Sequence, residues 1–442
     1  MRSRYLTGAA TVLGAQLGRI GLGLILEMLY ARLLGPAGRG QLSLCSMIIG
    51  VGVLVGGVGG EIPIMLWSAN PDKQSADWLP SVLVNGCVGA LVASVLWAIL
   101  FWRWHPSFLR GITDPMAVLV LISIPLSIVF VYGLATLTGN ERFSARSYII
   151  LANQVVVLSV FVALTLLFVS SAEMAMVASV IGLLAAILLI GASSWGQNPG
   201  SWKHWTLSRM WPAISLGMRG QLGNLATFLN YRLDVFVVNY FLSPAQVGIY
   251  AVGVLASEAL WQIPDAAALA LIPRIARMPD RGSAEFTCFV TRQVSIWVCI
   301  TGLILAVAAP KLIPLVFGAQ FIGSVPVVWL ILPGTAALAV GKVMSADLTG
   351  RGMPEYSSMF AFASLVLTAV LDLILIPRWG IQGAAIASSA AYLLDAFLVA
   401  WILQYKLRIS WKSMYVPTRA EFSVYLELGN RLLARLRPST AG

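Results

Sequence analysis

Charged side chains sit where a lipid-facing sequence should have none. Arg219, Arg232, Asp234, Glu258 and Asp265 fall within a stretch as apolar as a membrane span; Arg19 and Glu27 do so near the N-terminus, and Lys342 farther along. A charge at mid-bilayer costs at least about 2.5–3.5 kcal/mol on insertion scales. Each of these residues must therefore face a wet cavity or an opposite charge. The chemistry on offer is the handling of charge inside a membrane. Bond-making is poorly provided for. The two histidines, His105 and His204, lie in connections, and Cys45, Cys87, Cys288 and Cys299 lie in or beside apolar runs, where thiols pack helices. No histidine-centred metal or catalytic site is expected.

At about 100° per residue, Gln16, Arg19, Gly23, Glu27 and Tyr30 form one narrow stripe. Arg219, Asn230 and Asp234 share one face of a later helix, with Arg232 on the opposite face beside Gln221 and Asn239. Glu258, Trp261, Gln262 and Asp265 form a third stripe, and Lys342, Ser345 and Thr349 a fourth. Charge pairing competes with a cavity role at every one of these positions. Arg19 and Glu27 are two turns apart and do not neutralise each other. Arg219 has Glu258 and Asp265 available across helices. Lys342 lies toward a helix end and can snorkel. Asp372 and Asp395 read as structural.

The helices that must carry these residues span a membrane. The chain is 59% hydrophobic and 11% charged, against roughly 25% charged in soluble domains. Its mean hydropathy is +0.85. Runs of about 20 apolar residues predict an all-α polytopic membrane protein with about twelve spans: 6–34, 40–67, 79–102, 115–138, 147–170, 172–195, 212–242, 246–275, 290–317, 322–350, 357–377 and 381–405. The basic start, Met1-Arg2-Ser3-Arg4, leads into a retained first span with no clear cleavage site. With both ends in the cytoplasm, 19 of the 29 Lys and Arg fall inside and six outside. That asymmetry sets the orientation and accounts for the +11 net charge without nucleic acid.

The spans divide six and six. Leu34-x-Pro36-Ala37-x-x-Gly40 returns as Leu242-x-Pro244-Ala245-x-x-Gly248, Leu137-Thr138-Gly139 as Leu348-Thr349-Gly350, and Ala178-Ser179 as Ala387-Ser388, at offsets of 208, 211 and 209. Six spans per half make a parallel repeat, so the lobes are related by a pseudo-two-fold along the membrane normal. The expected organisation is an N-terminal lobe (1–195), a cytoplasmic linker (196–211), a C-terminal lobe (212–406) and a basic cytoplasmic tail (407–442). In that tail Phe422, Tyr425, Leu426, Leu432, Leu433 and Leu436 recur at helical spacing, as in a surface-lying amphipathic helix; a partly disordered basic tail is the alternative.

The first repeat phrase and the Arg232-x-Asp234 span leading to Pro244-Ala245-x-x-Gly248-x-Tyr250 resemble the bacterial polysaccharide-biosynthesis flippases. So do the Leu348-Thr349-Gly350-x-Gly352 connection and Pro377-x-x-Gly380-Ile381-x-Gly383-Ala384-Ala385. These are O-antigen-type (Wzx-like) translocases of the multidrug/oligosaccharidyl-lipid/polysaccharide exporter superfamily. The likeness covers about residues 5–405. It implies a MATE-like fold of two six-helix lobes around a cavity, working by alternating access. The implied substrate is an undecaprenyl-diphosphate-linked oligosaccharide, turned from the cytoplasmic to the periplasmic leaflet of the inner membrane for surface polysaccharide or exopolysaccharide synthesis. The implied partners are membrane lipids and the polysaccharide polymerase and chain-length machinery, with H+ or Na+ as the coupling ion and no other cofactor.

On that resemblance Arg19 and Arg219, then Arg232, are the diphosphate candidates, because a guanidinium stays charged and forks onto phosphate oxygens. Gln16, Asn230 and Gln262 would meet sugar or diphosphate. Glu27, Asp234, Glu258, Asp265 and Lys342 would bind the coupling ion or pair with the arginines. A MATE-type multidrug antiporter is the nearest rival, but it calls for a more acidic cavity. A polysaccharide polymerase or ligase calls for a larger external loop than the one near Trp102–Asp114.

Overall fold

The computed structural model describes residues 2–69, 74–193 and 207–416. Among them every regular element is helical. In chain order these are α1 (Arg2–Gly57), α2 (Glu61–Ser68), α3 (Gln74–Phe108), α4 (Asp114–Gly139), α5 (Phe143–Leu167) and α6 (Ala172–Ser193). They are followed by α7 (Leu207–Phe241), α8 (Pro244–Glu258), α9 (Gln262–Ile275), α10 (Asp280–Phe317), α11 (Ser324–Gly350), α12 (Pro354–Leu407) and α13 (Trp411–Tyr415).

Nine helices among the described residues are long and apolar enough to cross a membrane. Two of these stretches carry a break. Gly35 in α1 has φ +67° and Gly380 in α12 has φ +59°, a region that favours glycine. The breaks fall where the sequence ends one expected span and starts the next. The twelve spans expected from the sequence are not all recovered by length and apolarity. α7 lies outside the nine, since its arginines, asparagines and aspartate lower its hydropathy. The basic tail beyond residue 416 and linker residues 194–206 lie outside the described residues, as do the side chains of Gln16 and Arg219, whose backbones belong to α1 and α7.

The chain divides into two compact units. The larger comprises Met1–Ala256, Ala308–Ile331 and Ala361–Ser388; the smaller comprises Ser257–Val307, Leu332–Phe360 and Ser389–Gly442. In the larger unit α6 packs on α4 and α5, and α1 packs on α3, α4, α5 and α7. Glycine lets two of these helices touch backbone to backbone: a Cβ on Gly89 of α3 would fall 1.9 Å from the Gly56 carbonyl oxygen of α1. In the smaller unit Met344, Leu348, Phe360, Val399 and Leu403 form a core that Met414 of α13 joins. Arg292 donates to the Ser413 carbonyl and Trp411 stacks on Phe397, which fastens α13 down. Leu91, Leu188, Leu303 and Val307 stay exposed, as suits helix faces that meet lipid.

Candidate functional site

α7 leaves its apolar neighbours at Phe241, and Ser243 caps the next helix by accepting from the Gln246 N–H at 3.4 Å. Pro244 then starts α8, where a missing N–H costs nothing. Two turns into α8, Tyr250 points back to α7 and donates its hydroxyl to Asp234 Oδ2. Ser388 of α12 donates to the same oxygen at 3.2 Å and lies 3.2 Å from the Tyr250 hydroxyl. The Val235 N–H donates to Asp234 Oδ1 at 2.8 Å. One turn earlier, Thr368 of α12 donates to Asn230 Oδ1 at 2.9 Å.

Four residues beyond that bond stand Asp234 on α7 and Asp372 on α12, and the charge of Asp234 acts on Asp372. Both are buried, at 1% and 0% exposure. Asp234 is hydrogen-bonded, whereas among the described residues neither carboxylate oxygen of Asp372 has a hydrogen-bond partner. Two close buried carboxylates repel, and an unpaired buried charge costs several kcal/mol. A proton or a small hard cation would relieve both penalties, and the Tyr250 and Ser388 hydroxyls at Asp234 add oxygens of the kind such cations prefer. Arg232 acts electrostatically on Asp234 from the other side of α7.

The sequence puts Asn230 and Asp234 on one face and reads Asp372 as structural; among the described residues neither Asp372 oxygen has a hydrogen-bond partner. Thr368, Ser388 and Tyr250 were not singled out as site residues. The signal for Thr368 is the pairing of Asn230-x-x-x-Asp234 with Thr368-x-x-x-Asp372, the same polar–acid spacing in two apolar helices.

Glu27 has a different partner. Its Oε2 lies 2.7 Å from Arg39 Nη2. Arg39 falls between the expected spans 6–34 and 40–67, and it is 8% exposed and helical. The helix resumes at Pro36, so Arg39 faces back toward Glu27 within the fold. Arg19 is exposed on α1. In the smaller unit, Lys342 Nζ lies 3.0 Å from Asp265 Oδ1 and 3.9 Å from the centre of the Trp261 ring. Trp261 donates its indole N–H to the Thr335 carbonyl at 3.3 Å and meets Tyr392 edge-on. Glu258 is half-buried and Gln262 exposed.

A family model described as polysaccharide biosynthesis protein matches residues 29–326, which takes in the Glu27–Arg39 corner from Leu29 onward and the α7–α8 arm of the acidic cluster. The chain belongs to the polysaccharide biosynthesis protein family. Among its relatives is a putative O-antigen transporter of Shigella flexneri, 23% identical over 185 residues, which are 41% of this chain and 44% of the relative. The chain spans about two fifths of the length of the curated relatives it matches. The solved lipid II flippase MurJ, in an inward closed conformation, is similar at TM-score 0.74 and 14% identity, over 98% of this chain and 94% of that one. An inward-facing multidrug resistance MATE family transporter of the MOP superfamily is similar at TM-score 0.63 and 13% identity, over 88% and 94%. The all-α, polytopic, MATE-like fold expected from the sequence is therefore borne out for this family member.

Proposed function

We propose that this polysaccharide biosynthesis family member turns undecaprenyl-diphosphate-linked oligosaccharide from the cytoplasmic to the periplasmic leaflet of the inner membrane. It does so by alternating access of two lobes, 1–195 and 212–406, with both termini in the cytoplasm. It moves its substrate and makes or breaks no bond in it, and it feeds the polysaccharide polymerase and chain-length machinery. The observation that carries this reading is membership of the family on an exporter fold that buries an acidic cluster within its helices.

The cluster is the coupling site of the proposal: a proton or sodium ion enters between Asp234 and Asp372. Ser388, Tyr250 and Asn230 supply further oxygens around it. Arg19 and Arg219 remain the diphosphate candidates, with Gln16 and Gln262 toward the sugar. Lys342 with Asp265, and Glu27 with Arg39, are charge pairs that hold the arginine and lysine between turnovers; Glu258 remains a candidate for ion coupling or charge pairing.

Deleting the gene tests the reading. Lipid-linked oligosaccharide should accumulate facing the cytoplasm, surface polysaccharide should be lost, and the full-length gene should restore it. Unchanged polysaccharide together with heightened sensitivity to cationic drugs would favour the MATE-type antiporter instead.

A further inference from the structure

With both termini in the cytoplasm, as proposed, the first and ninth expected spans, 6–34 and 290–317, run outward and end at the periplasmic face. The last four carbonyls of a helix have no partner within it. The first segment of α1 reaches such an end at the Gly35 break, and α10 reaches one at Phe317. A side chain from each end caps the other. Arg32 donates its Nε–H to the Val316 carbonyl at 2.9 Å and an Nη2–H to the Leu315 carbonyl. Gln320, in the short turn Ala319–Phe321 after α10, donates its Nε2–H to the Ala31 carbonyl at 3.2 Å. Gly318, at φ +108°, ends α10 and starts the turn that carries Gln320. All of these residues belong to the larger unit.

The exchange crosses from one lobe to the other, since Arg32 lies in 1–195 and Gln320 in 212–406. A guanidinium at a helix C-terminus also meets the negative end of the helix dipole. We propose, resting on the alternating-access reading above, that Arg32 and Gln320 form an outer latch between the lobes. The latch is closed in this structure and opens when the cavity turns to the periplasm. Its chemistry suits a contact made and broken in every cycle. Both side chains are exposed, and together with Phe317, Gly318 and Ala319 they line an open hollow of about 380 Å³. A polar hollow of that size admits water. Water takes over the freed carbonyls, so parting the lobes here leaves no buried polar group unpaired. A buried ion pair in the same place would strand a charge at each opening.

Arg142 supplies the contrast. It donates an Nη1–H to the Ser193 carbonyl at 2.6 Å, at the end of α6. Both of those residues lie in the N-terminal lobe, so their bond survives when the lobes part. Arg32 makes the same kind of bond across the lobes, and that bond cannot.

The test is a distance measurement by double electron–electron resonance on the full-length protein in lipid nanodiscs. Spin labels go on Arg110→Cys and Lys311→Cys, exposed outer positions of the two lobes, with the exposed Cys87 and Cys299 replaced by serine. The wild type should hold the outer ends mainly at a single short distance. Arg32→Ala should raise the ratio of parted to closed ends about tenfold and Gln320→Ala about threefold, as suits a charged and a neutral donor. Arg142→Ala should leave the ratio unchanged. Arg32 is exposed, so its truncation disturbs no core packing. A reducible cross-link between Arg32→Cys and Gln320→Cys should stop transfer of lipid-linked oligosaccharide in proteoliposomes until a reductant is added. Distances that Arg32→Ala leaves unchanged, or transfer that continues in the cross-linked protein, would overturn the latch and leave the substrate reading intact. Ends that part in Arg32→Ala, in a protein that moves no lipid-linked oligosaccharide, would uphold the latch and sink the substrate reading.

Discussion

Gly40 and Gly248 hold two helix starts in backbone contact. A Cβ on Gly40 would fall 1.7 Å from the Pro244 carbonyl oxygen, and one on Gly248 would fall 1.9 Å from that of Pro36. The two glycines occupy equivalent places in Pro36-Ala37-x-x-Gly40 and Pro244-Ala245-x-x-Gly248. The repeat phrases therefore meet each other reciprocally, as two copies do across a two-fold axis. Backbone cannot swing aside as a side chain can. Gly40→Ala or Gly248→Ala should cost about 1–3 kcal/mol, the usual penalty for overpacking, and should abolish export. Gly191→Ala, whose Cβ would meet nothing within 4 Å, is the control. Thermal denaturation of the purified protein reads the difference, and equal midpoints for Gly40→Ala and Gly191→Ala would refute the contact.

The lone carboxylate of Asp372 makes a second prediction. On the coupling site proposed above, Asp372→Asn keeps the shape and removes the charge, so the protein with no ion bound should become more stable. The wild type should gain stability as the coupling ion is added, by about 2.7 kcal/mol at a hundredfold excess over Kd. The variant should gain little, and ion-driven transport should fall by at least about tenfold. Titrating sodium at fixed pH, then pH at fixed sodium, separates the two ions. A variant that responds to either ion as the wild type does would remove Asp372 from the site.

Tyr250 tests how much of Asp234 is held in place by its neighbours. Its hydroxyl reaches both Asp234 and Ser388 inside the larger unit. Tyr250→Phe should cost about 1.5–3 kcal/mol if the acceptor is ionised, the range for hydrogen bonds to charged groups. The same substitution made in an Asp234→Asn background should cost less, because the charge it served has gone. Denaturant unfolding of the four proteins forms a double-mutant cycle; strict additivity would mean that the two side chains do not interact.

Much of this was legible in the chain. Apolar runs gave membrane helices, and the Pro-x-x-x-Gly echo marked the two segments that turn out to touch. Helical wheels sort the residues of one helix by face, since a face is a property of one helix. They could not say what stands opposite a face, and there the reading fell short. Asp372 reads as a packing residue from the sequence because Asp234, the carboxylate that acts on it, lies more than a hundred positions earlier. The expected spans leave residues 35–39 as a connection, whereas helix resumes at Pro36, since proline is well tolerated in a first helical turn. The bond from Arg32 to Val316 is equally invisible, since 284 positions separate the two residues and no local spacing announces their meeting.

Glu27 and Arg39 offer the sharpest test of how charge is stored in the larger unit. They straddle the Gly35 break, so their ion pair ties the two segments of α1 together across it. The side chain of Arg39 is 10% exposed and that of Glu27 is 29% exposed, so solvent screens the pair only partly. Removing one partner from a buried pair costs about 3–5 kcal/mol because the other charge is stranded, and the partial exposure of Glu27 puts Glu27→Gln below that range. Arg39→Gln should cost less than Glu27→Gln, since the carboxylate left behind has more water than the guanidinium would. The exchange Glu27→Arg with Arg39→Glu should recover part of the loss, because the attraction survives reversal while the hydrogen bond from Arg39 to Ser43 does not. Unfolding midpoints of the single, double and exchanged variants measure this. An exchanged protein no more stable than the worse single variant would mean that the pair holds α1 by shape and not by charge.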